Sequence, residues 1–126
     1  MLVLDINDLK KTNDTYGHDI GNELIVHAAK LLSAIFKASS VFRIGGDEFA
    51  VVLDGKDLKN YRTLTEKLDA AFAEDYIAVD DTSIPVSAAR GVAVFDSAVD
   101  RTFNDVFTKA DHAMYLPKEA AKAALN

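Results

Sequence analysis

The chain opens on an unbroken apolar run, Met1-Leu2-Val3-Leu4, that meets its first carboxylate at Asp5. A run without polar alternation suits a strand buried on both faces, and the end of such a strand is where a side chain emerges into a site. Opening directly on a central strand leads to the expectation that the native domain has a segment before it. Asn7 and Asp8 are residues of N-cap type for a short helix from Leu9, and Gly17, after Tyr16, is of C-cap type. Asp19 is placed to cap a longer helix to about Lys37, with Leu24, Ala28, Leu31, Leu32 and Ile35 on one face at helical spacing. Ser39-Ser40 turns the chain into a hairpin, whose strands read as Val41-Phe42 and residues 49–53 with Gly45-Gly46 at the tip. Paired glycines supply the positive φ of tight turns and let another molecule approach the backbone.

Residues 54–57 break that strand, and Leu58, Tyr61, Leu64, Leu68, Ala71 and Phe72 predict a third amphipathic helix. Residues 76–79 and 84–95 are strand-like on either side of the polar turn Asp80-Asp81-Thr82-Ser83. Pro85 sits near its strand's start, where a missing donor costs least. Thr102 caps a last helix bearing Phe103, Val106, Phe107, Ala110, Ala113 and Met114. Pro117 predicts a kink or break in it, with residues 118–124 as a second helical piece. The order strand, two helices, hairpin, helix, strands, helix predicts a mixed α/β (α+β) layer fold, with a mainly antiparallel central sheet flanked by helices.

A length of 126 residues bounds this to one domain with room for a real core. The absence of cysteine excludes disulfides, thiolate zinc sites and cysteine nucleophiles. A net charge of -6 argues against a general nucleic-acid-binding face, which needs dense cationic charge, but leaves small nucleotides open. There is no run of about 18 apolar residues and no charged-then-apolar leader. We therefore expect no membrane contact in this segment and a cytoplasmic location, with attachment through a neighbouring segment left open.

The chemistry concentrates at the hairpin. Asp47 and Glu48 follow the twin glycines at the mouth of an apolar strand, where carboxylates repel each other and are expensive to desolvate. They point to a cation or a phosphate-bound metal; solvated acids at a hairpin tip are the plainer alternative. If the first strand pairs with the hairpin, Asp5 and Asp47 become neighbours. With the carbonyl of Ile6 they would offer the oxygen ligands that Mg²⁺ prefers, a nucleotide's phosphates completing the shell. Lys10, Lys118 and Lys122 could neutralise a triphosphate, although each alone reads as a solvated charge. His18 reads as a turn residue, His27 and His112 as helix-surface or packing residues, Tyr115 as core, and Asp80-Asp81 as a solvated turn.

Arg43 with Gly45-Gly46-Asp47-Glu48-Phe49, Asp5-Ile6-Asn7-Asp8-Leu9-Lys10 and residues 13–21 together resemble the bacterial GGDEF family of diguanylate cyclases. Ala110-Asp111-His112-Ala113-Met114-Tyr115, then Lys118, resemble its last-helix pattern, so the likeness covers nearly the whole chain. It implies a cyclase-palm (ferredoxin-like) fold and condensation of two GTP into cyclic di-GMP, with two Mg²⁺ or Mn²⁺ ions per active site. It also implies a homodimer in which each 3′-hydroxyl attacks the other GTP's α-phosphate, and an upstream sensor domain. By position, Asp5, the Ile6 carbonyl and Asp47 would hold metal, and Asp47 or Glu48 would help deprotonate the hydroxyl. Lys10 would stabilise the pentacoordinate phosphate, Lys118 and Lys122 would hold the β and γ phosphates, Asn13 would bond the guanine edge, and Gly45 and Gly46 would border the substrate.

Three departures from the pattern bear on function. Asn22 stands where the family usually has aspartate; an amide offers one acceptor and one donor, so one of two guanine donors loses its partner. Phe36 and Ser39 occupy the positions of the family's Arg-x-x-Asp product-inhibition motif, which predicts no feedback binding there. The family's N-terminal helix is missing from residues 1–126, and Ala121 with Pro117 disturbs the terminal pattern. Alongside a cyclase, the sequence therefore allows a catalytically degenerate GGDEF domain that binds nucleotide as a regulatory or partner-binding module, or a related nucleotidyl cyclase with another product.

Overall fold

The structure, a computed structural model, describes residues 1–115 with their side chains and the helical backbone onward to Leu125. Strand β1 (Leu2–Ile6) is followed by helices α1 (Leu9–Tyr16) and α2 (His18–Ile35), then by the hairpin β2 (Ser40–Arg43) and β3 (Glu48–Val52). Helices α3 (Gly55–Lys59) and α4 (Tyr61–Glu74) lead to β4 (Tyr76–Val79), β5 (Thr82–Pro85), β6 (Ala88–Val92) and the final helix α5 (Phe103–Leu125). The main sheet has the order β2-β3-β1-β6, antiparallel at every pairing, and β4-β5 forms a separate hairpin. The expected helix-flanked, mainly antiparallel fold is therefore present, with the first strand at its centre.

Period-two alternation along β1 divides the core. Leu2, Leu4 and Ile6 pack with Phe49, Val51, Leu24, Ala28, Leu32 and Leu68 beneath α2 and α4, whereas Met1 and Val3 pack with Val106, Ala110 and Met114 beneath α5. Burying both faces is what the unalternated opening run requires. Gly91, opposite Val3, lets α5 approach β6 backbone to backbone: a Cβ there would stand 2.1 Å from the Ala110 carbonyl oxygen and 2.3 Å from the Met114 nitrogen.

Several local expectations are corrected. Residues 84–95 are not one strand. Pro85 has no donor to continue the ladder, and the chain crosses from β5 to β6 there, Val86 N–H donating to the Asp75 carbonyl at 3.1 Å. The turn before β5 is only Asp80-Asp81, with Asp80 left-handed at φ 52°, a conformation aspartate tolerates. Asp8, not a side-chain cap, precedes α1 in a left-handed conformation, and Gly17 rather than Asp19 holds the N-cap position of α2. That helix stops at Ile35 because Phe36 turns into the core at 1 % exposure. Residues 54–57, expected only as a break, start α3: Asp54 caps it, and the buried Asp57 carboxylate accepts from Ala38 N–H at 2.8 Å and Ser39 Oγ–H at 2.7 Å. Thr102 does cap α5, in a reciprocal box. Asp105 N–H donates to Thr102 Oγ1 while Asp105 Oδ2 accepts from the N–H groups of Arg101 and Thr102. Pro117, where a kink or break is expected, lies outside the residues described with their side chains. Tyr115, expected in the core, is 53 % exposed.

Candidate active site

The central position of β1 brings the two acidic segments together. In the β1–β3 register Asp5 lies directly opposite Glu48, and Ile6 N–H donates to the Asp47 carbonyl at 2.8 Å, so Asp47 is one step further along at the turn. Glu48, and not Asp47, is thus the residue paired across from Asp5. Asp5 shares its sheet face with Val3, and hence with α5, by alternation. Two like charges opposed across a ladder repel, a pairing that a bound cation would relieve.

The fit to a divalent ion follows from the donor set. Among the described residues no three His, Asp or Glu side chains are grouped closely enough to form a closed metal cage. Mg²⁺ ordinarily takes one or two carboxylates and completes its octahedron with water and substrate phosphate, so two opposed acids beside a main-chain carbonyl suit it.

The glycines act differently from expectation. Neither Gly45 nor Gly46 has a positive φ; among the described glycines only Gly17 and Gly55 do. Arg43 fixes the turn instead, donating from Nε to the Gly45 carbonyl at 3.2 Å and from Nη2 to the Gly46 carbonyl at 2.8 Å. A Cβ on Gly46 would meet nothing within 4 Å, so neither conformation nor internal packing requires glycine there. What its hydrogen leaves open is the outer surface of the turn.

Beyond β1, Asn7 is tied down by its N–H to the Ser87 carbonyl and by Nδ2–H to Ser87 Oγ, both at 2.8 Å. This fixes the loop into α1, whose first turn has no side-chain cap and carries exposed Lys10. Helix N-terminal amides of this kind favour anions. Asn13, on the same helix, is half-buried, and its Oδ1 is buried with no hydrogen-bond partner. It packs on Gly21 of α2: a Cβ there would sit 1.6 Å from Asn13 Oδ1. Asn22, the next residue, is exposed. The roles of Gly21, Arg43 and the Asn7–Ser87 tie went unread in the sequence. Only Gly21 carried a local signal, as a helical glycine that gives up stability relative to alanine.

Val106 packs beside Met1, while Ala110 and Met114 lie against Gly91, so α5 advances along β1 from Met1 towards Asp5. The side chains of Lys118 and Lys122, on its later turns, lie outside the described residues. His27, expected as a surface or packing residue, is half-buried and ties α2 to the end of α4, Nδ1 lying 2.9 Å from Asp75 Oδ2. No helix among the described residues is long and apolar enough to cross a membrane.

A family model described as "Diguanylate cyclase, GGDEF domain" matches residues 1–124. The chain is 31% identical over 126 residues to the diguanylate cyclase DgcP of Pseudomonas aeruginosa, covering 99% of this chain and 18% of that protein. It is 29% identical over 123 residues to the bifunctional diguanylate cyclase/cyclic di-GMP phosphodiesterase MucR of the same organism, again covering 18% of the relative and 97% of this chain. Among solved structures, the active GGEEF domain of a diguanylate cyclase from Vibrio cholerae superposes with a TM-score of 0.79 at 27% identity, covering 94% of this chain and 75% of that one. The chain thus spans under a fifth of the two Pseudomonas proteins it matches.

Proposed function

Since the chain belongs to the GGDEF family, the domain family of diguanylate cyclases, we propose that it condenses two GTP into cyclic di-GMP as the output module of a longer signalling protein. The observation that carries this reading is the β1–β3 register, which sets Asp5 across from Glu48 beside a turn with an open outer surface. Residues 1–126 are read as the GGDEF module itself, cytoplasmic, working as a homodimer under an upstream sensor.

In this reading Asp5, the Ile6 carbonyl and Asp47 hold divalent metal, with Glu48 opposite Asp5. Mg²⁺ or Mn²⁺, two per site, would supply charge neutralisation on the phosphates and an acidified 3′-hydroxyl. Asp47 or Glu48 takes the hydroxyl proton as the oxygen attacks the partner GTP's α-phosphate and pyrophosphate leaves. Lys10 meets the charge that develops on that phosphate. Lys118 and Lys122 bind the β and γ phosphates, and Asn13 bonds the guanine edge.

Asn22 favours a second reading, a domain that binds nucleotide without turning it over. Separating the products after incubating the full-length protein with GTP and Mg²⁺ decides between them. Cyclic di-GMP is the expected product, and GTP recovered intact from a protein that binds it would favour the second reading.

A further inference from the structure

The hairpin tip is a turn of residues 44–47 in which Ile44 and Gly45 N–H groups both donate to the single Glu48 carbonyl, at 2.9 and 3.3 Å. Two of its residues have no side chain, and glycine has the most backbone freedom to lose on ordering. Such a turn needs another restraint, and the one present is Arg43, whose guanidinium reaches the carbonyls of Gly45 and Gly46 together.

A peptide unit is planar and trans, so a carbonyl pointing one way sends the N–H of the following residue the other way. With the Gly45 carbonyl drawn to Arg43, the N–H of Gly46 is turned to the opposite side of the turn, and a Cβ on Gly46 would meet nothing within 4 Å. We propose that Arg43 is a positioning residue: it clamps both glycine carbonyls so that the Gly46 N–H is presented outward as a donor to a phosphate oxygen of bound nucleotide. The clamp rests on the nucleotide-binding reading above for its purpose, but its geometry is independent of turnover. It depends on the planar fork, since a lysine ammonium keeps the charge without two divergent donors held in a plane.

Two measurements on the same variants, Arg43→Lys and Arg43→Met, test it. The first is amide hydrogen exchange at Ile44 and Gly45, whose N–H groups the Glu48 carbonyl holds, in nucleotide-free protein, with Val51 in the core of β3 as internal reference. The second is calorimetric affinity for a non-hydrolysable GTP analogue with Mg²⁺. In both variants exchange at Ile44 and Gly45 should rise about tenfold or more while Val51 holds, and analogue affinity should fall about tenfold, as for one lost hydrogen bond. Unchanged exchange in either variant overturns the clamp, and in the lysine variant it shows that charge alone suffices. Faster exchange with unchanged affinity overturns the positioning role. A wild-type protein that binds no analogue, with exchange responding as described, supports the clamp and removes the function proposed above.

Discussion

Asn22 stands exposed one residue after the glycine whose bare backbone receives Asn13. Where a carboxylate can accept from two donors on a base edge, an amide accepts one and sets its own N–H against the other. Leaving a polar group unpaired costs about 1–3 kcal/mol, one to two decades in affinity. Asn22→Asp should therefore raise the preference for GTP over ATP in steady-state or binding measurements by roughly 10- to 100-fold. An identical, already strong GTP preference in both forms would show that Asn22 does not read the base. Asn13 itself was legible as a candidate, because it lies within an ordered motif. Its support from Gly21 was not, because a contact between two helices has no local trace beyond an otherwise unfavourable helical glycine. Phe36 makes the converse point: its aromatic side chain excluded an arginine's role by identity alone, and its burial confirms that it belongs to the core.

At the scale of elements, the joint between β6 and α5 has the least room for change. Gly91→Ala places a methyl well inside van der Waals contact with helix backbone that no rotamer change can move aside. Overpacking of this kind costs about 1–3 kcal/mol, and rigid backbone puts this site at the upper end. Denaturant titration should show a midpoint lowered to match, and an unchanged midpoint would mean that α5 can ride outward freely. The loop into α5 gives a pH signature. Lys109 and the Asp96 N–H hold the Asp100 carboxyl below its ordinary range, and the N–H groups of Arg101 and Thr102 do the same for Asp105. Both groups are acids with lowered folded-state values, so their stabilisation is present above about pH 4 and is lost as pH falls through those lower values. Asp105→Asn should flatten the acid limb of the stability curve; an unaltered limb would assign acid unfolding elsewhere. The longer helices and the hairpin strands were legible from apolar spacing, whereas α3 was not, a single helix from Leu58 being expected where α3 and α4 stand. The division of residues 84–95 was not, because Pro85 signals a lost donor without saying that the chain there changes sheets.

At the scale of the molecule, placing β1 between β3 and β6 makes one strand serve two purposes. Its first three residues are core on both faces, and its last two carry a carboxylate and a main-chain carbonyl to the edge of that core. The sequence showed the acids but not which of Asp47 and Glu48 faces Asp5, because register is fixed by pairing between segments more than forty residues apart. The account as a whole requires that Asp5 and the Asp47-Glu48 pair bind one divalent ion together. Mn²⁺ affinity in the presence of GTP, measured for wild type, Asp5→Asn, Asp47→Asn with Glu48→Gln, and all three combined, tests this directly. If the acids share the ion, each change alone should weaken Mn²⁺ binding about tenfold or more and the combination should add little, the non-additivity of groups acting as a unit. Losses that simply add, or no loss at all, would contradict a shared ion.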